Sequence, residues 1–240
     1  MSGTTPAGTQ DEKQASAYVR QMFGRVAPRY DFLNHLLSFN IDRYWRWNTV
    51  GAVRHILRRP EARVLDTCCG TGDLMRALQR AGAASVLGSD FCHPMLTAAK
   101  QKAGLESSLF ESDTLFLPIA DGCLDLITVA FGFRNLTNYE SGLRELRRAL
   151  KPGGLAAILE FSQPPNRLFA ELYGFYSKQV LPKVGGLISG APDAYTYLPE
   201  SVRKFPDAPE LARKMEQAGF TDVHFQRMTF GIVALHLGRA

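Results

Sequence analysis

The segment Val64-Leu65-Asp66-Thr67-Cys68-Cys69-Gly70-Thr71-Gly72-Asp73-Leu74 most narrows what this chain can fold into. A short apolar run ends in an acid, crosses a turn with two glycines and opens into a helical pattern. A strand that meets a helix through so tight a loop leaves unpaired amides at the helix start, where the helix dipole also favours an anion. Eighteen residues past Gly72, a second apolar run (Ser85 to Ser89) closes on Asp90. An acid at the tip of the neighbouring strand can accept both hydroxyls of a ribose. Together these features describe a nucleoside-containing ligand lying across the ends of a parallel sheet.

The ligand's chemistry follows from what the loop lacks. A dinucleotide loop, G-x-G-x-x-G, needs a third small residue for close helix–strand packing beside the pyrophosphate. Here Gly70 and Gly72 supply the first pair, but Met75 stands at the third position. Asp66 would repel a pyrophosphate, yet it suits a ligand with an amino group. S-adenosylmethionine carries an amine, a carboxylate and a ribose, and fits both acids and the turn. The bland alternative is an ordinary glycine turn between strand and helix. On the favoured reading, the cofactor contacts are Asp66, Cys68, Gly70, Thr71, Gly72, Asp90, Phe91, Asp113, Thr114 and Ala130.

The remaining pattern alternates strand and helix. Ser108-Leu109-Phe110 runs up to Asp113-Thr114, and Asp121-Gly122 is a turn signal. Leu124 to Phe131, broken only by Asp125 and Thr128, predicts a buried central strand. Leu143, Leu146 and Leu150 sit at helical spacing and stop at Lys151-Pro152-Gly153-Gly154, after which Leu155 to Phe161 is another buried strand. A helix through Leu211, Met215 and Ala218 precedes two β-rich runs, 220–229 and 231–237, with Gly231 in the turn between them. The fold class is therefore α/β: a Rossmann-like sheet of about seven strands, mostly parallel, ending in an antiparallel hairpin at the sheet edge.

With 240 residues, 45% of them hydrophobic, the chain can bury one substantial core and needs no second domain. Residues 1–13 read as a disordered lead-in and 14–240 as a single domain. Within it, 14–60 form N-terminal helices, and 162–205 form an insertion that covers the substrate. This insertion is far longer than a usual connection and falls above the carboxyl ends of the strands. Its apolar content includes Leu168, Phe169, Leu172, Tyr173, Phe175, Tyr176, Val180, Leu181 and Gly185-Gly186-Leu187-Ile188. With the N-terminal helices it could roof an apolar tunnel, although such a stripe commonly serves core packing. The four cysteines lack metal-ligand spacing, so no metal is expected and the thiols are read as reduced, in a cytoplasmic enzyme. No run approaches the ~20 apolar residues that a membrane span needs.

Residues 14–60 hold eight arginines (20, 25, 29, 43, 46, 54, 58 and 59) against Asp31 and Asp42, a local excess of six positive charges. A solvated surface and a nucleic-acid site are both readings of this. The arginines are interleaved with Leu36-Leu37, Phe39, Ile41, Tyr44, Trp45 and Trp47, a composition that suits the surface of an anionic bilayer. Peripheral membrane contact is the favoured expectation, with no nucleic acid. Monomer and homodimer both stay open.

Residues 64–72, Asp90, Asp113 and the turn from Leu150 to Gly154 resemble the class I S-adenosylmethionine-dependent methyltransferases. Phe23 to Asn34, Ser38 to Arg46, Phe131-Gly132-Phe133-Arg134-Asn135-Leu136, Leu181 to Gly186, Tyr197-Leu198-Pro199-Glu200-Ser201 and the tail from Thr229 to Gly238 narrow this. They resemble the UbiE/MenG C-methyltransferases of ubiquinone and menaquinone biosynthesis, over roughly residues 18–238. Cys68 departs from the glycine usual there in the wider superfamily. The resemblance implies methylation of a polyprenyl quinol ring, with demethylmenaquinol to menaquinol favoured and the ubiquinone-precursor step as the alternative. An RNA methyltransferase and a non-catalytic binding module are more remote readings.

In-line methyl transfer from a sulfonium asks the protein to align donor and acceptor and to exclude water. The acceptor carbon gains nucleophilicity when the adjacent phenol loses its proton, so stabilising that phenolate is the expected contribution. Arg134, Asn135 and Tyr30 are the expected catalytic residues, with the first two donating to the developing oxyanion. The base stays open: a water held by Arg134, Asn135 or Tyr30, or a carboxylate such as Asp31. Tyr30 and Asp31 read equally as a helix start and packing pair. His93 is read as a surface residue or an adenine contact, and His236 as a packing residue in a strand.

Overall fold

A computed structural model describes residues 3–102, 108–176, 179 and 192–240. Seven strands form one sheet: β1 (Val64–Thr67), β2 (Val86–Asp90), β3 (Leu109–Glu111), β4 (Leu124–Ala130), β5 (Leu150–Phe161), β6 (Thr221–Met228) and β7 (Val233–Arg239). Their order is β3-β2-β1-β4-β5-β7-β6. The first five pair in parallel, whereas β7 runs antiparallel to both β5 and β6. The seven strands and the antiparallel hairpin agree with the periodicity of the sequence, and β6 is the edge strand. The order reverses between β1 and β4, which opens a crevice at their carboxyl ends.

Helices cover both faces because β4 and β5 are apolar on both sides. On one face, α3 (Ile41–Leu57) and α4 (Asp73–Arg80) press Val53, Ile56, Leu74 and Leu78 against Leu126. On the other, α6 (Tyr139–Ala149) and α9 (Ala208–Gln217) bring Leu143, Leu146, Leu211 and Met215 against Ile127. Each such aliphatic side chain, fully buried, contributes on the order of 1.5–3 kcal/mol. Side-chain caps set several helix starts. Asn138 accepts from the Ser141 amide at 3.0 Å, and Asp207 from the Glu210 amide at 2.9 Å.

Two elements differ from the periodicity. β5 begins at Leu150, not Leu155, and carries an irregularity opposite Leu124 and Leu126 that absorbs the Pro-Gly-Gly turn. A Pro-containing helix, α8 (Pro192–Lys204), precedes α9, which starts two residues beyond Pro206.

The front of the chain forms α1 (Glu12–Val26) and α2 (Tyr30–Leu37), which lead into α3, while α5 (His93–Lys100) follows β2. The lead-in expected to be disordered is anchored in this structure. Thr4 is buried; its amide donates to Leu136 O at 2.8 Å, and its hydroxyl lies 2.8 Å from the Tyr197 hydroxyl. Polar composition hid a contact made by a single threonine. Of the insertion, α7 (Arg167–Phe175) and α8 are described. The Leu181 to Gly186 segment, Val180 and Leu187-Ile188 lie outside the described residues.

His236 on β7 is buried, with Nε2 hydrogen-bonded to Ala208 O at 2.9 Å and Nδ1 without a partner among the described residues. Burial pushes its pKa down to about 4. The unfolded chain therefore takes up a proton at this site before the folded one does, so stability is lost as pH falls below the unfolded value of about 6.5. Between about pH 7.5 and 4.5, the unfolding free energy of a His236→Phe variant should gain about 2–3 kcal/mol relative to the unsubstituted protein. Urea titrations across that range check it, and a difference that stays flat with pH would contradict it.

Candidate active site

The parallel register sets the site. Asp66 pairs across from Gly88 and from Thr128, and Asp90 ends the next strand, so two acids share the carboxyl edge of the sheet. Asp66 Oδ1 accepts from the Thr128 hydroxyl at 2.6 Å, while Oδ2 is buried with no partner among the described residues. Burial pushes this carboxyl up to about 7 and Asp90 up to about 6. A buried carboxylate oxygen with no donor is costly, which marks a place shaped for a cationic or hydrogen-donating ligand.

The loop between β1 and α4 departs from the expected open anion cradle. The Gly70 amide donates to Asp90 Oδ2 at 2.9 Å, the Cys69 amide to Ser89 O, and the Gly72 amide to Cys69 O. Asp90 Oδ1 takes the Cys92 amide at 2.8 Å. Its carboxylate is thus oriented by backbone and keeps further lone pairs for ribose hydroxyls. Gly72, at φ +81, starts α4 without a side-chain cap.

A cleft is lined by Asp66, Cys68, Gly70, Thr71, Asp90, Phe91, Asp113, Thr114, Ala130 and Asn135. All the expected cofactor residues except Gly72 face it. Two of them commit their side-chain hydroxyls to bonds within the protein. The Thr71 hydroxyl donates to Asp31, and the Thr114 hydroxyl ties Thr67 (2.7 Å) to the Cys68 thiol (3.2 Å). Cys68 adopts φ +51, left-handed backbone that glycine tolerates better. A Cβ on Gly132 would fall 2.3 Å from Cys68 Cβ, so the thiol is accommodated because position 132 is bare. Burial holds that thiol well above its ordinary pKa, and it stays protonated.

A second chamber adjoins the first and is walled mainly by apolar and aromatic groups. Met22, Val26, Leu37, Trp45, Phe161 and Ile232 contribute, with Tyr173 and Tyr176 from α7 and its end, and Ala194, Tyr197 and Leu198 from α8. Phe23, Tyr30, Arg46 and Phe131 line both spaces and form the passage between them. Tyr30 opens α2, and burial raises its phenol pKa, which disfavours a phenolate there.

Arg134 and Asn135 do not face the same space. Both sit on a short turn after β4, Phe133–Asn135, but Asn135 lines the cleft and Arg134 the apolar chamber. Asn135 Oδ1 accepts from the Tyr197 hydroxyl at 3.0 Å, leaving its Nδ2 as the donor for a ligand. Arg134 is 5% exposed; its Nη1 donates to Glu160 at 3.0 Å and to Phe131 O, while buried Nε has no partner among the described residues. Asp31 points away from the chamber, held by Thr71 and by Lys102 at 2.9 Å. It therefore leaves the set of candidate bases.

Glu160, 1% exposed, is the residue that sequence reasoning passed over. It accepts from Nη1 and from the backbone amide of Arg134 at 3.1 Å, fixing the guanidinium in place. An acid inside the apolar run Leu155 to Phe161 was the available signal. Arg46, one of the eight front arginines, reaches the passage while paired with Asp42. His35, Asp42 and Asp73 place ligand atoms within 4.8 Å of one another, but Arg46 and Lys102 already neutralise these carboxylates. His93 is exposed and bonded to Glu111 at 3.0 Å, the surface reading.

The fold recurs in a Thermotoga maritima S-adenosylmethionine-dependent methyltransferase, with TM-score 0.64, 18% identity, and coverage of 91% of this chain and 98% of that one. It also recurs in the [4+2]-cyclase SpnF, with TM-score 0.65, 16% identity, and coverage of 100% and 98%. Residues 9–240 match the ubiE/COQ5 methyltransferase family. A demethylmenaquinone methyltransferase of Thermus thermophilus is 48% identical over 221 residues, 90% of this chain and 99% of the relative. The ubiquinone/menaquinone biosynthesis C-methyltransferase UbiE of Syntrophotalea carbinolica is 45% identical, over 91% of this chain and 92% of the relative.

Two outcomes follow. An ammonium ligand at Asp66 would lower its raised pKa, so binding S-adenosylmethionine at about pH 6 should release a proton, and affinity should rise as pH increases through about 7. Calorimetry in buffers of different ionisation enthalpy reads this; the release should fall in Asp66→Asn, and release unchanged in that variant would contradict it. Glu160→Gln leaves a buried guanidinium without its counter-charge and should cost roughly 3–5 kcal/mol in urea unfolding. Replacing the pair together, Glu160→Leu with Arg134→Met, should cost less, and a Glu160→Gln variant of undiminished stability would contradict the assignment.

Proposed function

The chain belongs to the ubiE/COQ5 methyltransferase family, and from that premise we propose that it methylates a ring carbon of a polyprenyl quinol, converting demethylmenaquinol to menaquinol. The cofactor is S-adenosylmethionine. The observation that carries the reading is the pair of adjoining spaces: an acid-tipped polar cleft and an apolar aromatic chamber that meet at Tyr30, Arg46 and Phe131. Acceptor and donor of such different polarity need two compartments with one point of contact. The Thermus thermophilus relative bears the name demethylmenaquinone methyltransferase, which supports the menaquinone series.

Asp66, with its unpartnered oxygen, holds the amino group of the cofactor, and Asp90, oriented by backbone amides, holds the ribose. Cys68, Gly70, Phe91, Asp113 and Ala130 shape the cleft around it, and Thr71, Gly72 and Thr114 brace the loop. When bound, the cofactor supplies an activated methyl group on a sulfonium. The chain's own residues align the acceptor and keep water out. Arg134, pinned by Glu160 in a mainly apolar chamber, offers its Nε to the quinol oxygen and stabilises the phenolate that makes the ring carbon nucleophilic, the phenol proton passing to water. Tyr30 borders the ring at the passage, and Asn135 donates from the cleft side. Arg stays protonated, so it acts by charge and hydrogen bonding and not as a base.

The described parts of the 162–205 insertion serve as the cover of this chamber, with α1 to α3 opposite. The polyprenyl tail leaves past exposed Phe39 and Ile41. Phe32, Leu36, Leu168, Leu172 and Phe175 are also exposed large apolar groups. Among the described residues, no helix is long and apolar enough to cross a membrane. The protein works in the cytoplasm, peripherally at the inner face of the cell membrane, where its acceptor resides.

Label from methyl-labelled S-adenosylmethionine should appear in menaquinone when the folded protein is given demethylmenaquinol, and Arg134→Gln should lower turnover roughly a hundredfold with donor affinity nearly unchanged. Folded protein that puts no label into quinone would overturn the proposal.

A further inference from the structure

A third cavity lies outside both compartments, in the groove where α3 packs on α4. Its walls carry Arg43, Trp47 and Arg54 from α3, and Arg76 and Arg80 from α4. The spacing follows the helices: positions 43, 47 and 54 share one stripe of α3, and 76 and 80 one stripe of α4. Carboxylates occur at one end only, as Asp31 and Asp73, and Lys102 pairs with both, with Arg46 reaching Asp73 as well. No ion pair among the described residues engages Arg43, Arg54, Arg76 or Arg80. Four guanidiniums lining a groove whose two carboxylates are already paired with Lys102 and Arg46 repel one another unless an anionic group joins them.

The rest of the same helix shows which anion. Trp47 is 70% exposed and stacks on exposed Tyr44, with ring centroids 6.4 Å apart and planes at 25°. Amphipathic rings of this kind suit the boundary between headgroups and acyl chains. One turn earlier, Ile41 and the 73%-exposed Phe39 line the lip of the apolar chamber. Arg46 borders the groove, the chamber and the polar cleft alike. Charge, aromatic belt and chamber mouth are thus continuous along α3. A nucleic acid would use the arginines and leave the apolar lip exposed to water.

We propose that the α3–α4 groove binds the phosphate headgroups of an anionic phospholipid bilayer and so seats the chamber mouth against the lipid that delivers the acceptor. Phosphodiesters take bidentate contacts from guanidiniums, and each arginine brought to an anionic surface favours the bound state by roughly fivefold. The inference rests on the reading of the chamber as a polyprenyl-quinol site, because only such an acceptor explains why the mouth should face a bilayer.

Flotation with vesicles of phosphatidylcholine, with and without phosphatidylglycerol, tests it. The unsubstituted protein should bind the anionic vesicles at least about tenfold better than the neutral ones. Arg54→Glu with Arg80→Glu should abolish that preference, whereas a matched reversal on other helices, Arg144→Glu with Arg213→Glu, should keep it. The groove variant should methylate a short-chain quinol dispersed in detergent at the unsubstituted rate and a vesicle-borne quinol more slowly. Equal vesicle binding by the two reversals would overturn the proposal. So would full displacement from vesicles by millimolar inorganic phosphate, or a groove that governs RNA binding and leaves vesicle binding untouched. If the vesicle results come out as expected but neither protein methylates the dispersed quinol, the quinol reading fails while the lipid site stands.

Discussion

A carboxylate kept out of water with one oxygen unpartnered is the constraint on which the molecule turns. Asp66 occupies that state because β1 lies in the middle of the sheet, flanked by β2 and β4, and ends under α4. The parallel register that buries it also sets Asp90 one strand away at the same edge. Parallel pairing is therefore both the scaffold and the source of the site's electrostatics: burial raises both acids and makes them responsive to a cation. Two of the chain's left-handed non-glycine residues also flank this crevice. Cys68 and Phe131, neither a glycine, take positive φ at the ends of β1 and β4, on the two sides of the crevice.

The second theme is separation. A charged, hydrophilic cofactor and an acceptor with a long apolar tail cannot share one pocket without desolvating the wrong groups. The fold offers two spaces of different polarity, one at the strand ends and one walled by the N-terminal helices with α7 and α8. The β4 turn divides the two, since successive residues Arg134 and Asn135 face different spaces. Glu160 keeps Arg134 on the chamber side, and the Tyr197 hydroxyl, itself next to Thr4, keeps Asn135 on the cleft side. A positively charged group fixed in an apolar wall is expensive to hold, and its buried partner makes that possible.

How much of this was legible in the sequence divides along the same line. The strand–loop–helix segment and the spacing to Asp90 predict the crevice, the order of the elements and most of the cleft lining, because those features are local and periodic. What the sequence conceals depends on contacts across long separations. Thr4 bonds to residues 136 and 197, Glu160 to residue 134, and Arg46 reaches past its own helix to the passage. The loop amides also looked open from sequence, yet Asp90 folds back to take the one from Gly70. Nothing in a linear pattern records that a strand-tip acid will orient itself on its neighbour's loop.

The most direct measurement is a structure with S-adenosylhomocysteine and a demethylmenaquinol analogue bound together. The account predicts the amino group on Asp66, the ribose on Asp90 and the sulfur turned toward the passage at Tyr30 and Phe131, with the quinol ring beyond it and its oxygen on Arg134. A nucleoside lodged away from Asp66 and Asp90, or a ring bound outside the chamber, would contradict it.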